Sequence, residues 1–321
     1  MKVLVTGAAG FLGTRLIQSL LEQAAGLPAI AHIIAADVAP CTIDDRRVDC
    51  RTGSIGSSAF VDSLLENGAD VVFHLAAVLS GQSEAEFDVG MQINVDGTRN
   101  LLEACRRLAR PSRFVFTSSV AVFGGALPDV VPEDIALNPE SSYGTEKAIG
   151  ELLVSDYSRR GFLCGVACRL PTIAVRPGRP NSALSSFVSG IIREPLAGLD
   201  AICPVPIDTR LWISSPDAAI RNLLHAARMP ADALAQRRVI TLPGLSVTVQ
   251  EMLDSLERLA GPSARARVRC AVDAKVMQIV STWPGAFDVR RALTLGFVTD
   301  RDVDSIVQQY MTSLQHEGRR S

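Results

Sequence analysis

No stretch of this 321-residue chain is apolar for long enough to cross a bilayer, and the opening residues, MKVLVTGAAG, show no charged leader, long apolar core or cleavage site. An excess of charge of one sign is missing too. The formal net charge is -2, with acidic residues spread among the arginines. That balance gives nucleic acid or an anionic membrane surface nothing to grip. The seven cysteines are odd in number and scattered, with no pair of CxxC units. Cys164 and Cys168 fall inside the apolar run FLCGVACRL, where reduced cysteine packs as a small hydrophobe, so no metal site is expected. Internal repeats and low-complexity segments are absent as well. These absences point to a soluble cytoplasmic protein. At 47% hydrophobic, it is long enough for one large domain or two modest ones.

What the chain does have is alternation. Apolar strand candidates at 2–6, 32–37, 70–76, 113–119 and 163–170 are separated by helical patterns near 11–24, 58–67, 92–109 and 143–160. Uniformly apolar strands, each followed by a helix, suit a parallel sheet covered on both faces. The expected class is therefore α/β, a doubly wound parallel sheet of the Rossmann type, whose ligands sit beyond the carboxyl ends of the strands. From about Pro171 the texture changes to proline, glycine and polar residues, as in TIAVRPGRPNSALSS. The expected division is a cofactor-binding domain over 1–174, with a return segment near 212–243, and a smaller C-terminal substrate lobe filling most of 175–321. Within the return segment, SSPDAAIRNLLHAAR reads as a helix capped by Ser215, with Pro216 in its first turn.

Between the first strand and the first helix, VLVTGAAGFLGTRLI carries Gly7, Gly10 and Gly13. Glycines there let the backbone turn tightly and approach a pyrophosphate, which lies against the helix N-terminus. A bare tight turn would have the same composition, but the strand–turn–helix context is the one a dinucleotide needs. Asp37 ends the second strand, where a carboxylate accepts hydrogen bonds from an adenosine ribose and repels a 2′-phosphate. No arginine follows it immediately, so NAD is favoured over NADP. Further on, SSYGTEKAIGELL places Tyr143 and Lys147 four residues apart at the start of a helix, one turn apart on one face. Alone, that pair is better read as a solvated face than as a site. Behind a glycine turn it reads as a general base with an ammonium to lower its pKa. Ser119, ending the preceding strand, is the candidate that positions the reacting oxygen. Tyr157 has no such lysine and reads as packing.

The G-x-x-G-x-x-G spacing is also where the chain begins to resemble the extended short-chain dehydrogenase/reductase family. The resemblance recurs in order through FHLAA (73–77), INVDGTRNLLEA (93–104), FTSSVAVFG (116–124), SYGTEK and FDVRRALTLGF (287–297), with Phe123 standing where the family usually has tyrosine. It implies Ser119, Tyr143 and Lys147 as catalytic residues. It also implies cofactor contacts from Phe11 and Leu12 in the glycine turn, from Leu75, Ala76 and Ala77, and from Ser118, Tyr143, Lys147 and Pro171. Asn94 would support the same site. The adenine-site residue is left open between Ser54 and Asp49. A homodimer through the 92–109 and 143–160 helices is implied, although core packing explains the same apolar pattern.

Two departures bear on the substrate. Nucleotide-sugar members of the family usually carry Arg-Tyr-x-Asn where this chain has Arg169-Leu-Pro-Thr172, and dehydratases place Asp-Glu where Val120 and Ala121 follow Ser119. The later loops hold Arg176, Arg179, Arg193 and Arg210. An arginine fork binds a carboxylate through two hydrogen bonds, so a small sugar acid is the expected ligand. The substrate candidates are Ser80, Ser119, Thr172, Arg176, Arg179 and Arg210. Arg210 stands out because DTRLWISSPDAA resembles a family segment whose arginine faces the substrate. The alternatives are a nucleotide-sugar 4-epimerase with tightly bound NAD, or a non-catalytic family member, which usually lacks the tyrosine or lysine present here.

Overall fold

Lys2–Thr6 (β1) is buried along four of its five residues because helices cover both faces of the sheet to which it is central. In the computed structural model, which describes residues 1–22, 27–178, 185–234 and 237–317, β1 pairs in parallel with His32–Asp37 (β2) on one side and Val71–His74 (β4) on the other. Val48–Thr52 (β3) extends the sheet beyond β2; Arg113–Ser119 (β5), Cys164–Leu170 (β6) and the short edge strand Val239–Thr241 extend it beyond β4. All seven strands run parallel, in the order (239–241)-β6-β5-β4-β1-β2-β3. Strand order reverses between β1 and β4, the point in such a sheet where a crevice opens beyond the strand ends. The doubly wound α/β fold expected from the alternation is the one observed.

Each helix over this sheet buries a stripe. In Phe11–Leu21 (α1) the buried residues are Gly13, Leu16, Ile17 and Leu20, at helical spacing. Ser58–Leu65 (α2) starts at Ser57, whose side chain accepts from the Phe60 amide. After β4 come two short helices, Ser80–Ala85 (α3) and Phe87–Gly90 (α4), then a π-helical segment, Met91–Gly97, running into Thr98–Arg106 (α5). The longest helix of this unit, Ser142–Arg159 (α6), buries a face unlike the others, with Gly144, Glu146, Lys147, Ala148, Gly150 and Glu151 inward while Leu152 is 68% exposed. Its small residues let it sit close to the sheet. A Cβ on Gly150 would lie 2.6 Å from the Phe116 ring of β5.

The chain divides into two compact units. The first comprises residues 1–122, 139–170 and 220–241, and the second 123–138, 171–219 and 242–321. Residues 123–138, expected with the first domain, belong to the second unit because their partners are distant in sequence: the Val131 amide donates to the Ala286 carbonyl, and Phe123 packs on Phe287 with ring centroids 5.2 Å apart. Phe287 in turn packs on Trp212, 5.4 Å away. The second unit holds a three-stranded sheet, in which Arg210–Ser214 lies between Leu245–Thr248 and Thr172–Ile173, and a two-stranded one, Ala201–Cys203 with Val268–Cys270. Its core is aliphatic, drawn from Val188, Ile191, Ile192, Leu253 and Leu256 among others. Helix Pro216–Arg228 has the expected cap: Ser215 Oγ accepts from the Ala218 amide at 3.0 Å and donates to buried Asp300 at 2.6 Å.

Because Phe116 fills the space beside Gly150, Gly150→Ala should overpack the α6–β5 contact and lower unfolding stability by about 1–3 kcal/mol, measured by chemical denaturation. Unchanged stability would show that α6 has room to move off the sheet.

Candidate active site

The glycine turn joins β1 to α1 with no space to spare. Gly7 has φ +73, and a Cβ on it would lie 2.7 Å from the Ala76 backbone nitrogen; one on Gly13 would lie 2.1 Å from the Gly7 carbonyl oxygen. The turn therefore packs against the Leu75–Ala77 segment that follows β4. Gly10 is the N-cap of α1 and makes no side-chain capping bond to the first amides of the helix. Asp37 closes the far side. One carboxylate oxygen accepts from the Ala9 amide and the other from Ala39, each at 3.0 Å. This is a donor-rich backbone cradle with a strand-end carboxylate beside it, and it fits the pyrophosphate and ribose of NAD. Of the two adenine-site candidates, Asp49 is paired with Arg51 at 2.8 Å, and Ser54 Oγ accepts from the Gly56 amide at 3.2 Å.

Beyond the ends of β4, β5 and β6 lie the residues expected to be catalytic. Ser141 caps α6 by accepting from the Gly144 amide at 3.1 Å, which sets Tyr143 in the first helical turn. Ser119, at the end of β5, accepts from the Ala121 amide at 3.1 Å. Burial pushes the Tyr143 phenol up to about 12, and a hydrogen bond with Ser119 works the other way, favouring the phenolate. Lys147 is 2% exposed and donates from Nζ to the Thr117 carbonyl at 2.9 Å. Its ammonium lies 5.6 Å from the Tyr143 ring centroid and 4.8 Å from that of Phe116. Burial lowers its pKa to about 8, against the upward pull of Glu146 and Glu151. The lysine expected to tune the tyrosine is thus itself tuned by two carboxylates.

Those carboxylates were not singled out from the sequence. Glu151 accepts from Ser118 Oγ at 2.6 Å and from Arg169 Nε and Nη2 at 2.8 and 2.7 Å, all of it buried. Ser118 and Arg169 are register partners on β5 and β6, so one carboxylate on α6 ties the helix to two strands at once. Ser118, expected beside the cofactor, donates its hydroxyl hydrogen bond to Glu151. Asn94 is committed as well. Its Oδ1 accepts from the Val78 amide at 2.8 Å, while Nδ2 donates to the Val78 carbonyl at 3.0 Å and to Glu146 at 2.5 Å. Asn94 therefore acts on the segment after β4 through its backbone. Two signals in the sequence could have exposed these ties: a glutamate one turn beyond Lys147, and an arginine in an otherwise apolar strand, which needs a buried partner.

His74 lies beneath the lysine, fully enclosed. Thr98 Oγ1 donates to the Asn94 carbonyl at 2.6 Å, so it accepts from His74 Nε2 at 2.9 Å. Nδ1 is then the acceptor for the Thr6 hydroxyl at 2.8 Å, and Thr6 Oγ1 accepts from the Ala76 amide at 3.3 Å. This assigned neutral tautomer agrees with a pKa pushed down to about 3, first by burial and then by the Lys147 charge.

The remaining expected residues are distributed between the units. Ser80 is the first residue of α3 in the first unit. In the second unit, Pro171 directly follows β6 and Thr172 opens a two-residue strand. Arg176 is half-buried, and its pKa is lowered by burial and by the Arg193 charge. Its guanidinium has no hydrogen-bond partner among the described residues, whereas Arg193 pairs with Glu194 at 2.5 Å and donates to the Arg176 carbonyl at 2.9 Å. Arg210 is exposed and reaches Ser246 at 3.3 Å. Arg179 lies outside the described residues. Among the described residues, no group of histidine, cysteine and acidic side chains could hold a metal ion.

A sequence profile of the NAD-dependent epimerase/dehydratase family matches residues 3–232. The chain is 52% identical to the D-erythronate dehydrogenase of Cupriavidus necator, with 97% of this chain and 98% of that protein covered. It is 43% identical to the D-erythronate dehydrogenase of Haemophilus influenzae, with 97% and 99% covered. Among solved structures, one described as the nucleoside-diphosphate-sugar epimerase from Agrobacterium tumefaciens has a TM-score of 0.95 at 40% identity, covering 98% of this chain and 95% of that one.

The buried neutral His74 makes a pH prediction. Its folded pKa lies below the ordinary value of 6.5, so the unfolded chain takes up a proton that the folded one refuses. The stability it contributes is complete above pH 6.5 and is lost as pH falls toward about 3. Over that window the protein should lose stability more steeply than His74→Gln, by up to about 1.4 kcal/mol per pH unit. Parallel stability profiles in denaturant titrations would contradict the buried neutral assignment.

Proposed function

We propose that this chain, which belongs to the NAD-dependent epimerase/dehydratase family, is an NAD-dependent sugar-acid dehydrogenase that oxidises the C2 hydroxyl of D-erythronate to give 2-dehydro-D-erythronate. What supports the reading is nearly full-length likeness to two D-erythronate dehydrogenases, in a chain where Tyr143 is hydrogen-bonded with Ser119 and has the Lys147 ammonium 5.6 Å from its ring centroid. On this proposal Tyr143 takes the proton of the C2 hydroxyl and Ser119 holds that oxygen near the phenol. NAD, when bound, supplies hydride acceptance for the hydrogen leaving C2. Lys147, charged, offsets the burial that keeps the phenol protonated. In the reverse direction the same phenol donates its proton to the carbonyl oxygen. The glycine turn with Gly7, Gly10, Phe11, Leu12, Gly13 and Asp37, the segment Leu75–Ala77, and Asn94, Ser118 and Pro171 form the proposed cofactor set.

A carboxylate next to the reacting carbon suits this chain's arginines. Arg176 and Arg210 are the proposed carboxylate partners, together with Arg179, and Ser80 and Thr172 the hydroxyl contacts. Arg169, the arginine of the family's Arg-Tyr-x-Asn segment, is held by Glu151, and Thr172 stands where nucleotide-sugar members carry the asparagine. The second reading, a nucleotide-sugar 4-epimerase with tightly retained NAD, is favoured by the description of the Agrobacterium tumefaciens structure. We further propose a cytoplasmic homodimer paired through α5 and α6, a reading supported by the exposure of Leu152. No helix among the described residues is long and apolar enough to cross a membrane.

A panel of four- to six-carbon aldonates with NAD, followed by absorbance of the reduced cofactor, should give its highest kcat/KM with D-erythronate. Reduction with none of them, or conversion of a UDP-sugar without net reduced cofactor, would overturn the dehydrogenase reading in favour of the epimerase. Tyr143→Phe should lower kcat by at least about a hundredfold, the lower end of what a positioned acid/base group contributes. NAD binding, measured by calorimetry, should be largely unchanged. Near-normal turnover in that variant would remove Tyr143 from the chemistry.

A further inference from the structure

Glu146 lies between Tyr143 and Lys147 in sequence and is 1% exposed. Its Oε2 accepts from Asn94 Nδ2 at 2.5 Å and from Ser83 Oγ at 3.1 Å. Its Oε1 has no hydrogen-bond partner among the described residues, and a Cβ on Gly90 of α4 would come within 2.3 Å of it. A buried carboxylate with an idle oxygen is costly, and an uncharged side chain of the same shape would fill this space more cheaply. The reason for the charge has to be sought in its surroundings.

We propose that Glu146 is a positioning residue of the catalytic pocket: its buried negative charge is the counter-charge that keeps the Lys147 ammonium charged, while its hydrogen bond to Asn94 fixes the clamp on Val78. The charges around the lysine account for it. From α6, Tyr143, Glu146 and Glu151 face this region; from β4, the neutral His74; from β5, the Thr117 carbonyl, Ser119 and the Phe116 ring; from β6, Arg169. Ser83, Gly90 and Asn94 close the α3, α4 and π-helical side and carry no charge. Glu151 is bound to Arg169 through two hydrogen bonds. That leaves one buried cation, Lys147, and one buried anion, Glu146. Of the two carboxylates that favour its charged form, Glu146 acts more strongly than Glu151. Glu146 also opposes the Tyr143 phenolate, so its charge bears on both members of the pair.

The inference rests on the dehydrogenase reading only for its consequence in turnover, and the test separates the two. The chain has three lysines, Lys2, Lys147 and Lys275, and the other two are exposed. In the full-length protein labelled with 13C at lysine Cε, the Lys147 signal is identified by its loss in Lys147→Arg. Its titration midpoint should lie near pH 8. In Glu146→Gln it should fall by about one pH unit or more. Glu146→Asp, which retains the charge, should stay closer to the unmodified protein than Glu146→Gln does. The alkaline limb of kcat against pH should follow the midpoint downward in Glu146→Gln. An unchanged midpoint in Glu146→Gln, or Asp and Gln moving it equally, would overturn the proposal. A midpoint that shifts while the pH–rate profile stays fixed would leave the role of Glu146 standing and remove Lys147 from catalysis.

Discussion

The Lys147 ammonium donates to the carbonyl of Thr117 from a position almost closed to water, and much of the first unit is arranged around that one hydrogen bond. A buried ammonium needs acceptors and opposite charge, and both come from elements brought together by the parallel sheet. β5 supplies the carbonyl and the Phe116 ring, and α6 supplies Glu146, directly before the lysine, and Glu151, one turn after it. α6 can come this close because glycine and alanine at 144, 148 and 150 stand among the charged residues of its buried face. A helix with a leucine at Gly150 would stand farther off and lose the Thr117 contact.

The same burial limits the tyrosine. Burial raises the pKa of the phenol, which on the proposed mechanism suits its acid role in reduction and opposes its base role in oxidation. A hydrogen bond with Ser119 works against that burial, and on the proposed mechanism the Lys147 charge does so too. The rigid ties beneath them are the Glu151–Ser118–Arg169 bonds across β5 and β6 and the Thr6–His74–Thr98 chain across β1, β4 and α5. In the second chain each donor has its acceptor, and burial keeps His74 neutral. Both networks hold the strand ends in place so that Ser119 and Tyr143 keep their relative position.

The parts of this arrangement that were legible in the sequence are those that short-range spacing controls. Glycines at Gly7, Gly10 and Gly13, a carboxylate closing a strand at Asp37 and the Tyr143–Lys147 interval each have a local geometric reason. β3 was not legible: VDCRT alternates poorly and is largely exposed, and it is a strand because β2 offers it a free edge. The buried face of α6 was hidden for a related reason, since charged residues point inward and Leu152 outward. Residues 123–138 look continuous with β5 in sequence, yet Val131 finds its partner more than a hundred residues later at Ala286. Asn94 could be placed near the site, but which backbone its amide holds depends on the π-helical turn that carries it.

A dehydrogenase and an epimerase of this family share these elements, and they differ in where the hydrogen taken from the substrate carbon ends up. The direct measurement is to supply D-erythronate deuterated at C2 together with NAD and to examine the released cofactor by mass spectrometry. On the present account the deuterium leaves C2 with the electron pair while the hydroxyl proton passes to Tyr143, so the reduced cofactor carries one deuterium. Unlabelled reduced cofactor, or erythronate that keeps its deuterium with no reduced cofactor released, would contradict oxidation at C2.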